Sequence, residues 1–338
     1  MIEKEKRVEI LRLAREYGNK YVAQQYNIST RSIRRWKQHA RDKRDAFEVE
    51  ELPTGHLPID DLIKERINKY KIKHDYMNKT QLINVDININ GPIGIAHFGD
   101  PHIDDDGTDI ELLYKHADII NETDGLFAGN VGDMHNNWIG RLGRLYGQQS
   151  TSANEAWRLV EHFIGKVNWL YLVGGNHDAW TGAGDPLDWM VSYGGGVFAN
   201  WGVRMNLRFP NGKEVRINSR HDFKGHSQWN TAHGLSKAIQ MGWRDHILTA
   251  GHTHVSGYQV LKDPSTGLIS HALRVGSYKT HDRYAIEKGL PDQNIFTCPV
   301  TIIDPRYEDD DPRLITTFFD PEKASLYLTF LRKVSKYA

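Results

Sequence analysis

Cysteine is almost absent from this sequence of 338 residues: Cys298 stands alone, so no internal disulfide can form. That excludes a disulfide-stapled secreted scaffold and suits a reducing, cytoplasmic compartment. Long apolar runs are absent too. Nothing approaches the roughly 18 apolar residues of a membrane span, so none is expected. The opening Met1-Ile2-Glu3-Lys4-Glu5-Lys6-Arg7 has no apolar core, so no signal peptide is expected. Net charge is missing as well, with 43 Lys/Arg against 43 Asp/Glu. The lone thiol lies in the apolar, strand-like run Phe296-Thr297-Cys298-Pro299-Val300, which reads as a buried structural cysteine.

The charge balance hides an asymmetry. Residues 1–44 carry thirteen Lys/Arg and five Asp/Glu, a net +8, and the rest of the chain is −8. A basic head on an acidic body points to an anionic partner, most simply nucleic acid. The head reads as three helices. The first spans 3–17, with Val8, Leu11, Leu13 and Ala14 near one face, and Gly18-Asn19 ends it. A short second helix covers 20–26. Ser29 or Thr30 can cap a third, 31–43. Val22, Ala23, Ile28, Ile33 and Trp36 supply a miniature core. This is a helix-turn-helix plan, with Arg31, Ser32, Arg34, Arg35 and Lys37 presented to phosphates and base edges. A basic helical hairpin for protein contact is the plain alternative.

Residues 45–80 read as an acidic linker followed by a charged amphipathic helix over 59–79, which leaves self-association open. From 81 to the end the pattern changes. Ile83, Val85, Ile87 and Ile89 alternate with Asn84, Asp86, Asn88 and Asn90, a strand with one wet face. Gly91-Pro92 turns into a second strand, 93–98. Helices over 109–122 and 152–166 then alternate with strands at 125–128 and 169–173. Further strands follow at 204–209, 214–219, 246–250, 257–262 and 271–275, giving a layered α/β body. Glu308-Asp309-Asp310-Asp311 reads as a loop and 321–336 as a final amphipathic helix.

Five strands run into polar clusters: Gly99-Asp100-Pro101-His102, Gly129-Asn130-Val131-Gly132-Asp133, Gly174-Gly175-Asn176-His177-Asp178, Arg220-His221-Asp222 and Gly251-His252-Thr253-His254. Carboxyl ends of strands are where α/β sheets gather their sites. Carboxylate, amide oxygen and imidazole together suit hard, phosphate-binding cations. Two such ions roughly 3.5–4 Å apart can generate hydroxide and clamp attacking and leaving oxygens. Turn-forming polar residues are the bland alternative for each cluster taken alone, but not for all five in this order.

This order resembles the calcineurin-like metallophosphoesterase superfamily over about 93–280, nearest to its DNA-repair nuclease and phosphodiesterase branch. The head resembles helix-turn-helix domains of transposases and terminase small subunits. The resemblance implies a β-sandwich of two mixed sheets flanked by helices. It implies that Asp100, His102 and His254 hold a first metal, that Asp133 bridges, and that Asn176, His221 and His252 hold a second. It assigns His177 to the transition state or leaving oxygen, with Asp178 orienting it. Attack would come from a metal-bound hydroxide without a phospho-enzyme. The expected cofactor is two divalent ions, Mn²⁺ first, with Fe, Ni, Co or Zn as alternatives. The sequence departs from the family pattern in three places. Asn136 stands three residues after Asp133, where an acid or His is common. His221 is followed by Asp222 instead of Gly, with His226 as the competing ligand, and Gly99 replaces a common Ser.

His135, Arg141 and Arg144 are candidates for gripping substrate, with surface salt bridges the alternative for the arginines. Trp138 and Trp180 could stack on a base or simply pack. His97 reads as a satisfied core histidine, and Asp104, Asp105 and Asp106 as a solvated loop. The expected activity is a dimetal phosphodiesterase, a nuclease acting on DNA. The alternatives are a phosphomonoesterase or small-nucleotide phosphodiesterase, and a DNA-binding regulator with a vestigial body.

Overall fold

The computed structural model describes residues 4–42, 55–138, 140–179, 186–227, 229–281, 286–287, 289 and 292–335. It divides into two compact units, Met1–Lys71 and Ile72–Ala338.

In the first unit, α1 (Lys4–Glu16), α2 (Asn19–Gln25) and α3 (Thr30–Asp42) close on a small core of Ile10, Ala14, Val22, Ala23 and Ile33. Ile10, Leu13 and Ala14 lie at the i, i+3, i+4 spacing of one helical face. Val8, expected on that face, is 66% exposed, and Ile10 takes the buried place. Gly18 makes the α1–α2 turn at φ 86°, a conformation glycine adopts freely. Ser29 caps α3, its Oγ accepting the Ser32 N–H at 3.0 Å. A fourth helix, α4 (Ile59–Thr80), has no buried residue.

The second unit is α/β, with two mixed six-stranded sheets. One has the order β1-β6-β7-β8-β10-β9, formed by β1 (Ile83–Asp86), β6 (Gly202–Arg208), β7 (Glu214–Arg220), β8 (Ile247–Ala250), β9 (Gly257–Lys262) and β10 (Ile269–Arg274). The other has the order β12-β11-β2-β3-β4-β5, formed by β2 (Ile93–Phe98), β3 (Leu126–Asn130), β4 (Trp169–Gly174), β5 (Val197–Asn200), β11 (Val300–Ile303) and β12 (Ile315–Phe318). β2, β3, β4 and β5 are parallel, as are β7, β8 and β10. Their carboxyl ends therefore share an edge within each sheet.

Alternation sorts the side chains. Ile93, Ile95, Tyr171 and Val173 pack between the sheets against Met205, Leu207, Ile217, Ile247 and Leu273. Ala96, Phe98, Ala128 and Leu172 face outward, under α5 (Ile110–Glu122), α6 (Ala153–Lys166), a helix at Pro186–Gly194 and the last helix, Pro321–Ser335. Burial on both faces explains why β4 is apolar throughout and β2 is apolar but for His97.

β1 is shorter than the alternating run suggests. Its pairing with β6 ends at Asp86–Arg208, and only the Ile87 N–H continues it, to the Arg208 carbonyl. Cys298 is buried but precedes β11 in a bend, so the expected strand begins at Val300. Burial pushes the thiol up to about 12, the mark of an inert cysteine. Among the described residues no helix is long and apolar enough to cross a membrane.

Candidate metal centre

Each of the five polar clusters sits at a strand end, and the backbone there is unusual. Eight non-glycine residues among those described have positive φ. Five of them are Asp100 (22°), His102 (40°), Asp133 (53°), His252 (70°) and His254 (54°). Such conformations are sparse for side-chain-bearing residues and concentrate at functional sites. The glycines beside them answer a different need. A Cβ on Gly175 would sit on the Asp133 carboxylate, and one on Gly251 on that of Asp100.

The side chains converge in two overlapping groups. His102 and His254 bring their Nε2 atoms to 3.1 Å, with Asp100 Oδ2 3.7 Å from His254 Nε2. His221 Nε2 lies 3.2 Å from Asp133 Oδ2, 2.8 Å from Asn176 Oδ1 and 3.0 Å from His252 Nδ1. His221 Nδ1 lies 3.8 Å from Asp100 Oδ1, which joins the groups. One ligand atom each from Asp133, His221 and His252 falls within 4.8 Å of the others, so this cluster could hold a metal ion.

The donors fit that use. Ligands about 2.0–2.2 Å from a cation stand about 3.0–3.4 Å apart, the spacing of these nitrogens and oxygens. Asp100 Oδ1 is buried with no hydrogen-bond partner, although a buried carboxylate oxygen is costly when unpaired.

Electrostatics sharpen the picture. Burial pushes Asp100 up to about 6, with the Asp133 charge adding and His221 and His254 opposing. Burial also drives Asp133 upward, but His221, His177 and His102 outweigh it and hold the carboxyl well below its usual range. Burial works against protonation of His221, yet Asp133 and Asp100 raise it to about 10. His102 is held well below its usual value by burial and by the neighbouring His254 and His177. Buried carboxylates thus hold a proton on His221, the place a cation would compete for.

His177 is the second residue of the short helix Asn176–Ala179 beside the site. Its ring packs edge-on to His102 (centroids 5.1 Å apart) and to Trp138 (5.4 Å). Its Nδ1 bonds the Asn136 carbonyl, which can only accept, so Nδ1 carries a proton and Nε2 is the atom left to act. Asp178 does not bond that ring. Its carboxylate accepts the N–H groups of Asp133, Met134 and Gly175 at 2.7, 3.1 and 2.8 Å. The orienting contact expected of Asp178 is made by Asn136 instead.

The other expected residues are distributed as follows. His135 is buried against Trp157, ring centroids 4.1 Å apart, with Nε2 3.7 Å from Asp178. Burial pushes it down to about 3, so it stays neutral. Arg144 is exposed on the helical turn Gly140–Gln148; the Arg141 side chain and Trp180 lie outside the described residues. His226 is exposed differently from His221, which occupies the cluster. His97 bonds Tyr171 (2.7 Å) and Thr301 (2.9 Å), a satisfied core histidine. In the head, Arg31, Arg34 and Arg35 are exposed and Ser32 is half-buried. Lys37 reaches back to the Ala14 carbonyl at 2.9 Å.

The solvated-loop expectation fails at Asp104. It is 1% exposed and accepts the Asn136 N–H at 2.7 Å and Gln149 Nε2 at 2.9 Å. Gln149 also accepts from Trp138 Nε1 at 2.7 Å and Asn136 Nδ2 at 2.9 Å. This ring of contacts fixes the Asn136 carbonyl that holds His177. Gln149 stands sixteen residues after Asp133 in a polar stretch, with no local signal to single it out. The sequence matches no protein-family model and no curated protein.

Proposed function

We propose that the body is a metallophosphoesterase of the calcineurin-like type that hydrolyses phosphodiesters in DNA, with the basic head binding that DNA as a helix-turn-helix domain. One observation carries the reading: Asp100, His102, Asp133, Asn176, His221, His252 and His254, all at strand ends, bring donor atoms into one connected cluster.

Asp100, His102 and His254 would hold one divalent cation, and Asn176, His221 and His252 a second, with Asp133 shared. Mn²⁺ is the first candidate, with Fe, Ni, Co or Zn as alternatives. When bound, such ions supply a nucleophile near neutral pH and neutralise phosphoryl oxygens. The chain does the rest. Asp133 Oδ1 accepts the His177 N–H at 2.9 Å, which ties the acid–base histidine to the ligand cluster. Asn136 holds the proton on His177 Nδ1, so Nε2 is the atom that would exchange a proton with the reaction, and it would donate one to the departing oxygen from the doubly protonated ring, which returns to the neutral Nδ1–H form. Asp178 fixes the turn that presents Asp133.

DNA is favoured by the +8 head and by exposed Arg31, Arg34 and Arg35 on α3. The −8 charge of residues 45–338 favours the second reading, a phosphatase or small-nucleotide phosphodiesterase. Full-length protein with Mn²⁺, assayed on plasmid DNA, single-stranded DNA, bis-p-nitrophenyl phosphate and p-nitrophenyl phosphate, separates the two. Hydrolysis of the diesters and DNA is expected. Cleavage of the monoester alone would sink the DNA reading.

A further inference from the structure

The His177 imidazole is held from two sides. The Asn136 carbonyl accepts its Nδ1–H, and the Trp138 ring packs edge-on with centroids 5.4 Å apart. Both neighbours donate to one atom. Gln149 Oε1 accepts Asn136 Nδ2 at 2.9 Å and Trp138 Nε1 at 2.7 Å. An indole N–H can only donate, so the Gln149 amide has a single workable orientation. Its Nε2 then donates to Asp104 Oδ2 at 2.9 Å and to the Thr151 carbonyl at 3.0 Å. The two donors and two acceptor positions of the amide are all in use.

The partners of this amide are themselves fixed. Asp104 is buried, and its other oxygen accepts the Asn136 N–H at 2.7 Å. Asn136 Nδ2 also donates to Asp105 Oδ2 at 2.8 Å, and the same oxygen holds Lys279 Nζ at 3.0 Å. Asn136 is thus gripped at its main-chain N–H and at both side-chain protons, which sets where its carbonyl points. Asn136 Oδ1 is left buried with no hydrogen-bond partner. A network arranged for stability alone would satisfy that oxygen. This one leaves it unpaired while the carbonyl meets the histidine. Among the described residues, no hydrogen bond of Gln149 runs to any of the seven expected metal ligands.

We propose that Gln149 is a positioning residue for proton transfer by His177, acting through Asn136 and Trp138. The proposal rests on the reading of the body as a metallophosphoesterase with His177 as its acid–base group. A misplacement of about 1 Å in a catalytic group can cost about 10²-fold in rate. Removing this amide frees both contacts of the imidazole at once and leaves the ligand cluster intact.

The test uses full-length wild type, Gln149→Met, His177→Ala and the double variant. Each is loaded with Mn²⁺ and assayed on bis-p-nitrophenyl phosphate, with metal content and thermal unfolding measured alongside. Gln149→Met keeps a side chain of similar length and removes the amide. Its kcat is expected to fall about tenfold or more, with KM and bound metal unchanged. In the His177→Ala background the same substitution should cost nothing further, because residues that act as a unit are not additive. A second readout needs no turnover. In protein labelled with ¹⁵N-histidine and loaded with diamagnetic Zn²⁺, the His177 Nδ1–H signal is identified by its absence in His177→Ala. That proton should exchange with water faster in Gln149→Met. Trp138→Phe keeps a ring against His177 and removes one bond to Gln149; it serves, with the same pattern expected, if Gln149→Met does not fold. An unchanged kcat, an equal loss in both backgrounds, or unchanged exchange of the imidazole proton overturns the positioning role. A wild type that hydrolyses no phosphodiester overturns the metallophosphoesterase reading itself, and the role with it.

Discussion

The fully buried carboxylate of Asp178 accepts the backbone N–H of Asp133 at 2.7 Å. Its two oxygens also take the N–H groups of Met134 and Gly175, so one side chain holds together the two turns that carry Asp133 and Asn176. Asp133 can keep its positive φ of 53° because that turn is pinned. Asp178→Ala leaves three buried amides without acceptors. The expected cost is about 3 kcal/mol or more, read from urea denaturation, with bound metal lost alongside. Unchanged stability would remove Asp178 from the scaffold of the site.

His177 is expected to act on protons and not on metal. His177→Ala should retain bound metal, because none of the connected donor pairs requires the imidazole. Turnover should fall by roughly 10²–10⁴, the range of a general acid–base group. Metal content by plasma mass spectrometry and kcat on the small diester check both halves. Retained turnover would refute the assignment.

Metal affinity should depend on pH through His221. Asp133 and Asp100 raise that imidazole to about 10 against the opposing effect of burial. A cation must displace the proton, so affinity rises with pH, by about tenfold per unit between roughly pH 6 and 9. Titration calorimetry in buffers of different protonation enthalpy should report about one proton released per ion at this position. Affinity independent of pH would contradict the ligand role of His221.

The expected clusters were legible because each combined a strand pattern with glycine and a run of ligand-type residues, as in Gly174-Gly175-Asn176-His177-Asp178. The helix-or-strand reading of the body succeeded for the same reason: long, regular periods. β5 was missed, being four residues between Gly194-Gly195-Gly196 and Trp201, too short to show a period. β11 and β12 were missed because the apolar run near Cys298 was centred too early and Ile315-Thr316-Thr317-Phe318 lacks alternation. Contacts distant in sequence left no local trace. Asp104 is held in its buried place by Gln149, forty-five positions away, and by the Asn136 N–H. Whether Asp178 holds a ring or a backbone turn is likewise a question of geometry that residue spacing does not address.

Acid should destabilise the fold through His97. Burial depresses this imidazole to about 3 in the folded chain, against about 6.5 when unfolded. Between those values the unfolded chain binds the extra proton, so stability is full above about pH 6.5 and falls as pH drops toward 3. At pH 5 the loss from this residue is about 2 kcal/mol. His116 and His271, each depressed to about 4 by burial, act in the same direction. Urea midpoints at pH 7 and pH 5 measure the effect. His97→Gln, which still bonds but does not titrate, should flatten the dependence. An equal slope in that variant would rule His97 out as the source.

The central claim is a two-cation centre that hydrolyses phosphodiesters. Metal-depleted protein titrated with Mn²⁺ while bis-p-nitrophenyl phosphate hydrolysis is followed tests it most directly. Two ions bound per chain, with activity rising in step and abolished in Asp133→Asn, is the predicted result. Hydrolysis that persists in chelator, or stoichiometric Mn²⁺ binding with no hydrolysis of any phosphodiester, would contradict it.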